Sequence, residues 1–568
     1  MKKRLKILFS GWRIAAVISV FGFAYLFLIF NIYNIQFKKN AFYEAQAESQ
    51  QKAIGALDPT RGSIYFTDKN NNHILTVLNK EFQFIYAVPE EIQRATSSQQ
   101  LSINNAQVYA QKLSPILNIP AADLERKFSK PNDLFESLVL KASDDQVNAV
   151  KNLNLKGIYI KNQVGRYYPF ETLGSQILGF VAPSDNTNSA TLANIVGRYG
   201  VEEFFNDDLA GTPGNVTGDK VVPPVDGGNI YLTIDRNIQA QAEDTLKNLV
   251  SEKGATGGSI LVEDPKTGKI LTIANYPDFD PNDYSKYDIK NFLNPTVQKI
   301  YEPGSIFKIL TMAAGIDSGK ITPETTYYDK GYDIINGRKI MNWDHKAYGL
   351  MTMTNVIEHS LNTGTVFAEQ TMGHDIFRNY ITKFGIGELT GIKLPGEVKG
   401  NLYNIEHGRD INYATASYGQ GISATPLEMI NAASAIANGG VLMKPLILDG
   451  DQPEVIRRVI SEDTAKKVTQ MMVSDVQVNV LAEVPNYTVA GKSGTAFVPD
   501  LQHGGYTNDV IDSFIGFAPA FDPKFVLMIK LDEPVGAPLS GTAVVPAFRQ
   551  LTEFILNYYN VPPDNIGH

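Results

Sequence analysis

The chain has 568 residues, of which 43% are hydrophobic and 20% charged, with a formal net charge of −9. That length predicts two or three domains with ample material for cores, and the acidic balance leaves no electrostatic footprint for nucleic acid. There is no cysteine, which excludes disulfide scaffolds, thiol nucleophiles and cysteine-based zinc sites together. The seven histidines (His73, His345, His359, His374, His407, His503 and His568) are scattered without an H-E-x-x-H pair, so no metal or other cofactor is expected.

The first element is apolar. Ile14 to Phe30 carries no charge, and continuing to about residue 36 reaches the roughly 20 residues that a bilayer core requires. Lys2, Lys3, Arg4, Lys6 and Arg13 precede it, and only Lys38 and Lys39 follow closely. The positive-inside rule then predicts a cytoplasmic tail over 1–13, a single transmembrane helix over 14–36, and everything beyond on the outer face of a cytoplasmic membrane. A cleaved signal peptide fits less well. The apolar stretch exceeds an ordinary h-region, and Phe37-Lys38-Lys39 follows instead of small residues.

A polar, helix-prone stalk (Ala41–Ala53) leads to the turn Asp58-Pro59-Thr60-Arg61-Gly62 and a mixture of short strands and helices, among them Ala106–Leu117 and Asp144–Leu153. Residues 37–225 therefore read as a small α+β module. The turn-rich joint Pro223-Pro224-Val225-Asp226-Gly227-Gly228 places a domain boundary. A second domain is expected over 226–557, with a tail over 558–568.

The second domain opens with a strand (Ile230–Ile234) and a helix capped by Asp235, whose Ile238, Ala242, Leu246 and Val250 share one face. Two strands over 258–263 and 269–274 follow, joined by the hairpin turn Asp264-Pro265-Lys266-Thr267-Gly268. The stretch from about 290 to 440 reads as mostly helical. Strands return at Tyr487–Ala490, Ser513–Phe517 and Phe525–Leu531, before a last helix with apolar Val545, Phe548, Leu551, Phe554 and Ile555. Strands and helices flanking a helical insert define an α+β layout, a mainly antiparallel sheet covered by helices.

Three short patterns suggest serine acyl transfer with a lysine base: S-x-x-K opening a helix, an S-x-N loop and a K-[ST]-G strand. The chain holds two such sets in the same order. Ser49/Lys52, Ser102/Asn104 and Lys266-Thr267-Gly268 lie in a polar stalk, an unremarked stretch and a turn. Nothing around Lys52 would lower its pKa. In the other set, Pro303-Gly304 precedes Ser305, and Ile306, Ile309, Leu310 and Ala313 continue as an apolar helix. Ser305 is thus expected at a helix N-terminus, where free N–H groups stabilise an anion. Lys308 follows one turn on, among apolar neighbours that disfavour its charge. It can then take the Ser305 proton. Ser360-Leu361-Asn362 follows a helical stretch and supplies a hydroxyl and an amide. His359 is its sequence neighbour and points elsewhere, so no Ser–His pair is expected. Lys492-Ser493-Gly494-Thr495 follows the strand Tyr487–Ala490. A cation beside two hydroxyls suits a carboxylate, and Gly494 admits a close backbone approach.

With these motifs the chain resembles a class B penicillin-binding protein. Tyr301-Glu-Pro-Gly-Ser-Ile-Phe-Lys308 resembles the family's active-serine block. Asp264-Pro-Lys-Thr-Gly268 with Pro277-Asp-Phe-Asp-Pro-Asn282, Tyr418-Gly-Gln-Gly-Ile-Ser423 and Ser513-Phe-Ile-Gly-Phe-Ala-Pro519 are further similar blocks. Arg61-Gly-Ser-Ile64, Arg166-Tyr-Tyr-Pro169 and Gly200-Val-Glu202 with Leu209-Ala-Gly211 are similar to the non-catalytic pedestal module. The resemblance covers about residues 12–556 and implies a penicillin-binding, β-lactamase-like transpeptidase domain with a helical subdomain.

It also implies roles. Ser305 attacks a terminal D-Ala-D-Ala stem peptide, and Lys308 is the general base. Ser360 and Asn362 assist proton transfer and substrate holding. Lys492, Ser493, Gly494 and Thr495 bind the substrate carboxylate, with the Ser305 and Thr495 N–H groups as oxyanion hole. β-Lactams acylate Ser305 as mimics. Leu361 stands where a small residue is more usual, and Ser493 where threonine is. No glutamate-bearing glycosyltransferase block is present, so the implied partners are a separate membrane glycan polymerase and division or elongation complex proteins. The length and S-x-N form resemble the division type more than the elongation type. A D,D-carboxypeptidase or β-lactamase of the same fold, or a non-catalytic scaffold, are the alternatives; the long pedestal argues against the first two and the intact motif set against the last.

Overall fold

The computed structural model describes residues 16, 18–30, 56–94, 105–184, 195–217, 220–500, 502–536 and 539–565. The chain divides into two units, one of residues 1–62 with 207–228 and one of residues 63–206 with 229–568. In the first, residues 18–30 are helical with exposed side chains. Among the described residues no helix is long and apolar enough to cross a membrane; most of the remainder of the expected 14–36 span lies outside them. This unit also holds a three-stranded sheet in which Gly214–Thr217 pairs antiparallel with both Ala56–Leu57 and Lys220–Val222. The stalk 41–53, with Ser49 and Lys52, and the Ser102/Asn104 pair lie outside the described residues.

The second unit opens with a five-stranded sheet. Strands β1 (Ile64–Thr67), β2 (Ile74–Ala87), β3 (Glu136–Ala142) and β4 (Ile158–Tyr167) are joined by β5 (Ile230–Asp235), which pairs parallel with β1. Helices α1 (Asn105–Leu117), α2 (Ala121–Phe128) and α3 (Asp144–Leu153) bury Ala110, Leu113, Leu124, Phe128 and Val150 against Ile85 and Leu138 of the sheet. Helix α3 begins where Ser143 accepts from Gln146 N–H and Gln146 answers to the Ser143 N–H, a reciprocal cap. From within β4, Arg166 Nε donates to Glu202 Oε1 at 2.6 Å, both side chains buried.

Asp235 ends β5 and caps α4 (Arg236–Lys253), accepting from the N–H groups of Asn237 and Ile238. Such a cap contributes about 1 kcal/mol. Ile238, Ala242, Leu246 and Val250 of α4 are buried, as their 3.6-residue spacing predicts. They pack on a second sheet made of β6 (Gly257–Glu263), β7 (Ile270–Tyr276), β8 (Ala490–Pro499), β9 (Tyr506–Ala518) and β10 (Phe525–Asp532), in the order β7-β6-β10-β9-β8, antiparallel throughout. Its core joins Phe514, Leu527, Ile529 and Leu531 to Phe548, Leu551 and Ile555 of the last helix, Val545–Tyr558.

The other face of this sheet carries the helical insert: α5 (Lys308–Asp317), α6 (Met353–Glu358), α7 (Asn362–Met372), α8 (Pro426–Ala437) and α9 (Glu462–Asn479). The insert is less uniformly helical than its sequence suggests. Two antiparallel pairs interrupt it, Thr326–Asp329 with Gly349–Thr352 and Tyr332–Ile335 with Arg338–Met341. Exposed β-rich pairs of this kind alternate apolar and polar residues too briefly to stand out from amphipathic helix.

Candidate active site

Ser305 lies in a 3-10 turn, Gly304–Phe307, that runs directly into α5. The helix therefore starts tighter than expected, with Ser305 one residue inside the 3-10 segment and Lys308 at the first α position. Gly304 has φ +59°, and a Cβ there would stand 2.9 Å from Ala496 Cβ and 3.0 Å from Thr495 O. Its N–H donates to Gly419 O at 2.9 Å, so the Tyr418–Ser423 block supports the serine turn from behind. From the opposite side comes Gly494, where a Cβ would stand 3.0 Å from Ile306 N and 2.9 Å from Ile306 Cγ2. Only glycine lets the strand approach the serine turn this closely.

Lys308 is fully buried. Its Nζ donates to Ser360 O at 2.6 Å and Asn362 Oδ1 at 2.8 Å and lies 3.2 Å from Ser360 Oγ. Burial pushes its pKa well below the usual lysine range, and the nearby Lys492 charge pushes the same way, opposed by Asp475. An uncharged amine has two protons and one lone pair. Two carbonyl-type oxygens take the protons, which leaves the lone pair for a hydroxyl. The Asn362 amide is aimed by its own donation to Met341 O at 2.9 Å. Ser360 sits between α6 and α7 with φ +54°, a left-handed conformation that costs a non-glycine residue about 1 kcal/mol. That bend turns its carbonyl and hydroxyl toward one amine.

Lys492, Ser493, Gly494 and Thr495 lie inside β8, which starts at Ala490, rather than after a strand over Tyr487–Ala490. Lys492 pairs with Ile515, Gly494 with Ser513 and Thr495 with Asp512 across the ladder to β9. The alternation of strand faces puts Lys492 and Gly494 toward the helical insert, and Ser493 and Thr495 on the other face, partly exposed. Lys492 is not a free cation. It is 1% exposed, and its Nζ is 3.2 Å from Asp475 Oδ2 on α9. Burial raises the Asp475 pKa and the Lys492 charge opposes that rise. Asn479 Nδ2 donates to the other Asp475 oxygen at 2.6 Å. Nor is the Thr495 hydroxyl unattached: it lies 2.7 Å from Asp512 Oδ1, within hydrogen-bond reach, and accepts from Ser540 N at 3.3 Å.

Sequence reasoning named neither Asp475 nor Asp512. The signal for Asp475 is an acid on the apolar face of a helix, among buried Met471, Met472, Val473 and Val476; such a group demands a partner. His359, beside Ser360, stacks on Tyr348 with ring centroids 5.1 Å apart. In the other motif set, Lys266 lies in the β6–β7 turn, where Thr267 Oγ1 donates to Asp264 Oδ2, and Lys266 bonds Asp522.

A serine at a helix-opening turn, a desolvated lysine and a lysine-bearing strand closed against that turn define the site of a serine acyl-transfer enzyme. Residues 258–553 match the penicillin binding protein transpeptidase domain, and residues 56–238 match the penicillin-binding protein dimerisation domain. The chain belongs to the penicillin-binding protein transpeptidase family, as a class B member. It is 32% identical to stage V sporulation protein D of Bacillus subtilis over 89% of this chain and 79% of that protein. It is 28% identical to the peptidoglycan D,D-transpeptidase FtsI of Escherichia coli over 98% of this chain and 93% of that one. Among solved structures, penicillin binding protein 3 from Mycobacterium tuberculosis complexed with aztreonam superposes with a TM-score of 0.68 at 27% identity, covering 89% of this chain and 98% of that chain.

Proposed function

We propose that this chain is a serine D,D-transpeptidase that cross-links peptidoglycan stem peptides. Ser305 Oγ attacks the carbonyl of the penultimate D-Ala, Lys308 takes its proton, and the terminal D-Ala leaves as an amine that recovers a proton through Ser360. The C–O bond of the acyl-enzyme then breaks as an acceptor amine from a neighbouring strand forms the new amide. Asn362 holds the Lys308 amine and the substrate. The N–H groups of Ser305 and Thr495 receive the developing oxyanion. Along the β8 margin the Ser493 and Thr495 hydroxyls receive the substrate carboxylate, the buried Lys492 charge attracts it through the strand, and Gly494 lets the peptide and the serine turn lie against β8.

The observation that carries this reading is the desolvated Lys308 amine held by Ser360 and Asn362, three residues after Ser305. Two relatives support its setting: FtsI is named a peptidoglycan D,D-transpeptidase, and the Mycobacterium protein holds aztreonam. β-Lactams would then acylate Ser305. The work belongs to division-type wall synthesis, alongside a separate glycan polymerase and division complex proteins. Residues 14–36 anchor the chain once in the cytoplasmic membrane, with 1–13 inside, the pedestal over 37–225 and the transpeptidase domain over 226–557 outside, and a tail over 558–568.

Incubation with labelled penicillin followed by peptide mapping tests it. One adduct is expected, at Ser305, and none in Ser305→Ala. An adduct elsewhere, or rapid turnover of the penicillin, would overturn the assignment.

A further inference from the structure

Asp512 lies in the middle of β9, opposite Thr495, and is 0% exposed. Its Oδ1 meets the Thr495 hydroxyl at 2.7 Å, while its Oδ2 is buried with no hydrogen-bond partner among the described residues. An ionised carboxylate carries about four acceptor sites and is expensive to bury with one contact. A neutral carboxyl is far cheaper, and it brings a proton to donate.

We propose that Asp512 is a positioning residue for the substrate carboxylate, acting as a neutral acid that sets which way the Thr495 hydroxyl proton points. This rests on the reading in which Thr495 meets the ligand carboxylate. Thr495 Oγ has one proton and two lone pairs. Ser540 N–H occupies one lone pair. When Asp512 is protonated, its O–H donates to the second, and the one remaining direction of the Thr495 oxygen is its own proton, free for the ligand. When Asp512 is ionised it takes that proton, and Thr495 turns a lone pair toward the carboxylate. Binding a carboxylate ligand is therefore coupled to a proton on Asp512.

The groups packed around Asp512 leave this coupling undisturbed by other charges. Strand β8 brings Ser493 and Thr495, β10 brings Ile529 and Leu531, and the short helix Ser540–Ala543 brings Ser540. Lys530 and Asp532 flank Leu531 on β10, alternate onto the opposite face of the strand and bond each other; Glu533 lies just beyond, and its N–H bonds Val510 O. Burial alone lifts Asp512, to about 6, with the Thr495 bond the one opposing influence.

The test compares Ser305 acylation of the full chain by benzylpenicillin and by its methyl ester, which lacks the carboxylate. The ratio of the two rates cancels titrations that affect both, including that of Lys308. In the wild type the ratio should fall roughly tenfold between about pH 5.5 and about pH 7.5, following the loss of the Asp512 proton. In Asp512→Asn, whose amide donates at every pH, the ratio should stay flat and high. In Thr495→Val it should be flat and low, and this variant decides the matter should Asp512→Asn fail to fold in a thermal melt. A pH-independent wild-type ratio, or a wild-type fall retained in either variant, overturns the proposal while leaving Ser305 acylation intact. No adduct at Ser305 with either probe would sink the transpeptidase reading, and this inference with it.

Discussion

Lys492 Nζ and Asp475 Oδ2 stand 3.2 Å apart with their side chains 1% and 5% exposed. The cation of β8 is thus neutralised by helix α9 and stands as half of a buried pair. Its field on Lys308 persists, since that charge helps hold the Lys308 pKa down.

Breaking this pair should cost more than deleting it. Asp475→Ala leaves a buried ammonium without its counter-charge and should lose about 3–5 kcal/mol of stability, read as a lower Tm. The double variant Asp475→Leu with Lys492→Met should recover most of that loss. A double variant no more stable than Asp475→Ala would show that the pair does not act as a unit.

The acylation rate should rise with pH as Lys308 loses its proton. Lys492→Met removes the neighbouring charge that helps depress the Lys308 pKa, so its acidic limb should move to higher pH. The pH profile of penicillin acylation, by rapid mixing, measures the shift. The sign for stability follows from the same depression. Between the folded and unfolded pKa values the unfolded chain binds the extra proton, so stability increases with pH across that interval.

Lys308→Arg keeps a cation that cannot be deprotonated in proteins. Acylation of Ser305 should fall by about 10²–10⁴, the range of a lost general base. Near-normal acylation would remove Lys308 from that role.

Gly494→Ala places a methyl against the backbone nitrogen of Ile306. Overpacking there should cost about 1–3 kcal/mol and push β8 off the serine turn. Acylation should slow even at temperatures where the fold is intact, as judged by circular dichroism.

Ser360 separates hydroxyl from backbone. Ser360→Gly and Ser360→Ala both lose the oxygen beside Lys308 and should slow acylation alike. The glycine variant relieves the φ of +54° and should be the more stable by about 1 kcal/mol. Chemical denaturation compares them.

The parts of the site readable in the sequence are those whose residues are neighbours in the chain. Ser305 and Lys308 announce themselves because turn and apolar helix are both local, as do α4 and its Asp235 cap. Asp475 and Asp512 are each 17 residues from their partners Lys492 and Thr495. The first meeting depends on α9 packing on β8, and the second on the β8–β9 register. Neither is a periodicity within one element. The limits of β8, Ala490–Pro499 instead of the expected Tyr487–Ala490, differ for the same reason. Gly491 and Gly494 have poor strand propensity alone, and the ladder to β9 overrides it. Strand β8 itself contains no acid, and the acid that compensates Lys492 comes from another element.

β8 stands at the end of the order β7-β6-β10-β9-β8, so among the described residues its outer flank has no neighbouring strand. Main-chain donors and acceptors along such a margin bind extended peptide backbones with little regard for side chains. A peptide lying there would add a sixth ribbon to the array, adhering through its backbone whatever its composition. Discrimination among peptides would then fall on whatever reads their terminus, and under the proposed function that makes the few polar groups at Ser493 and Thr495 the arbiters of which backbone is kept long enough to react.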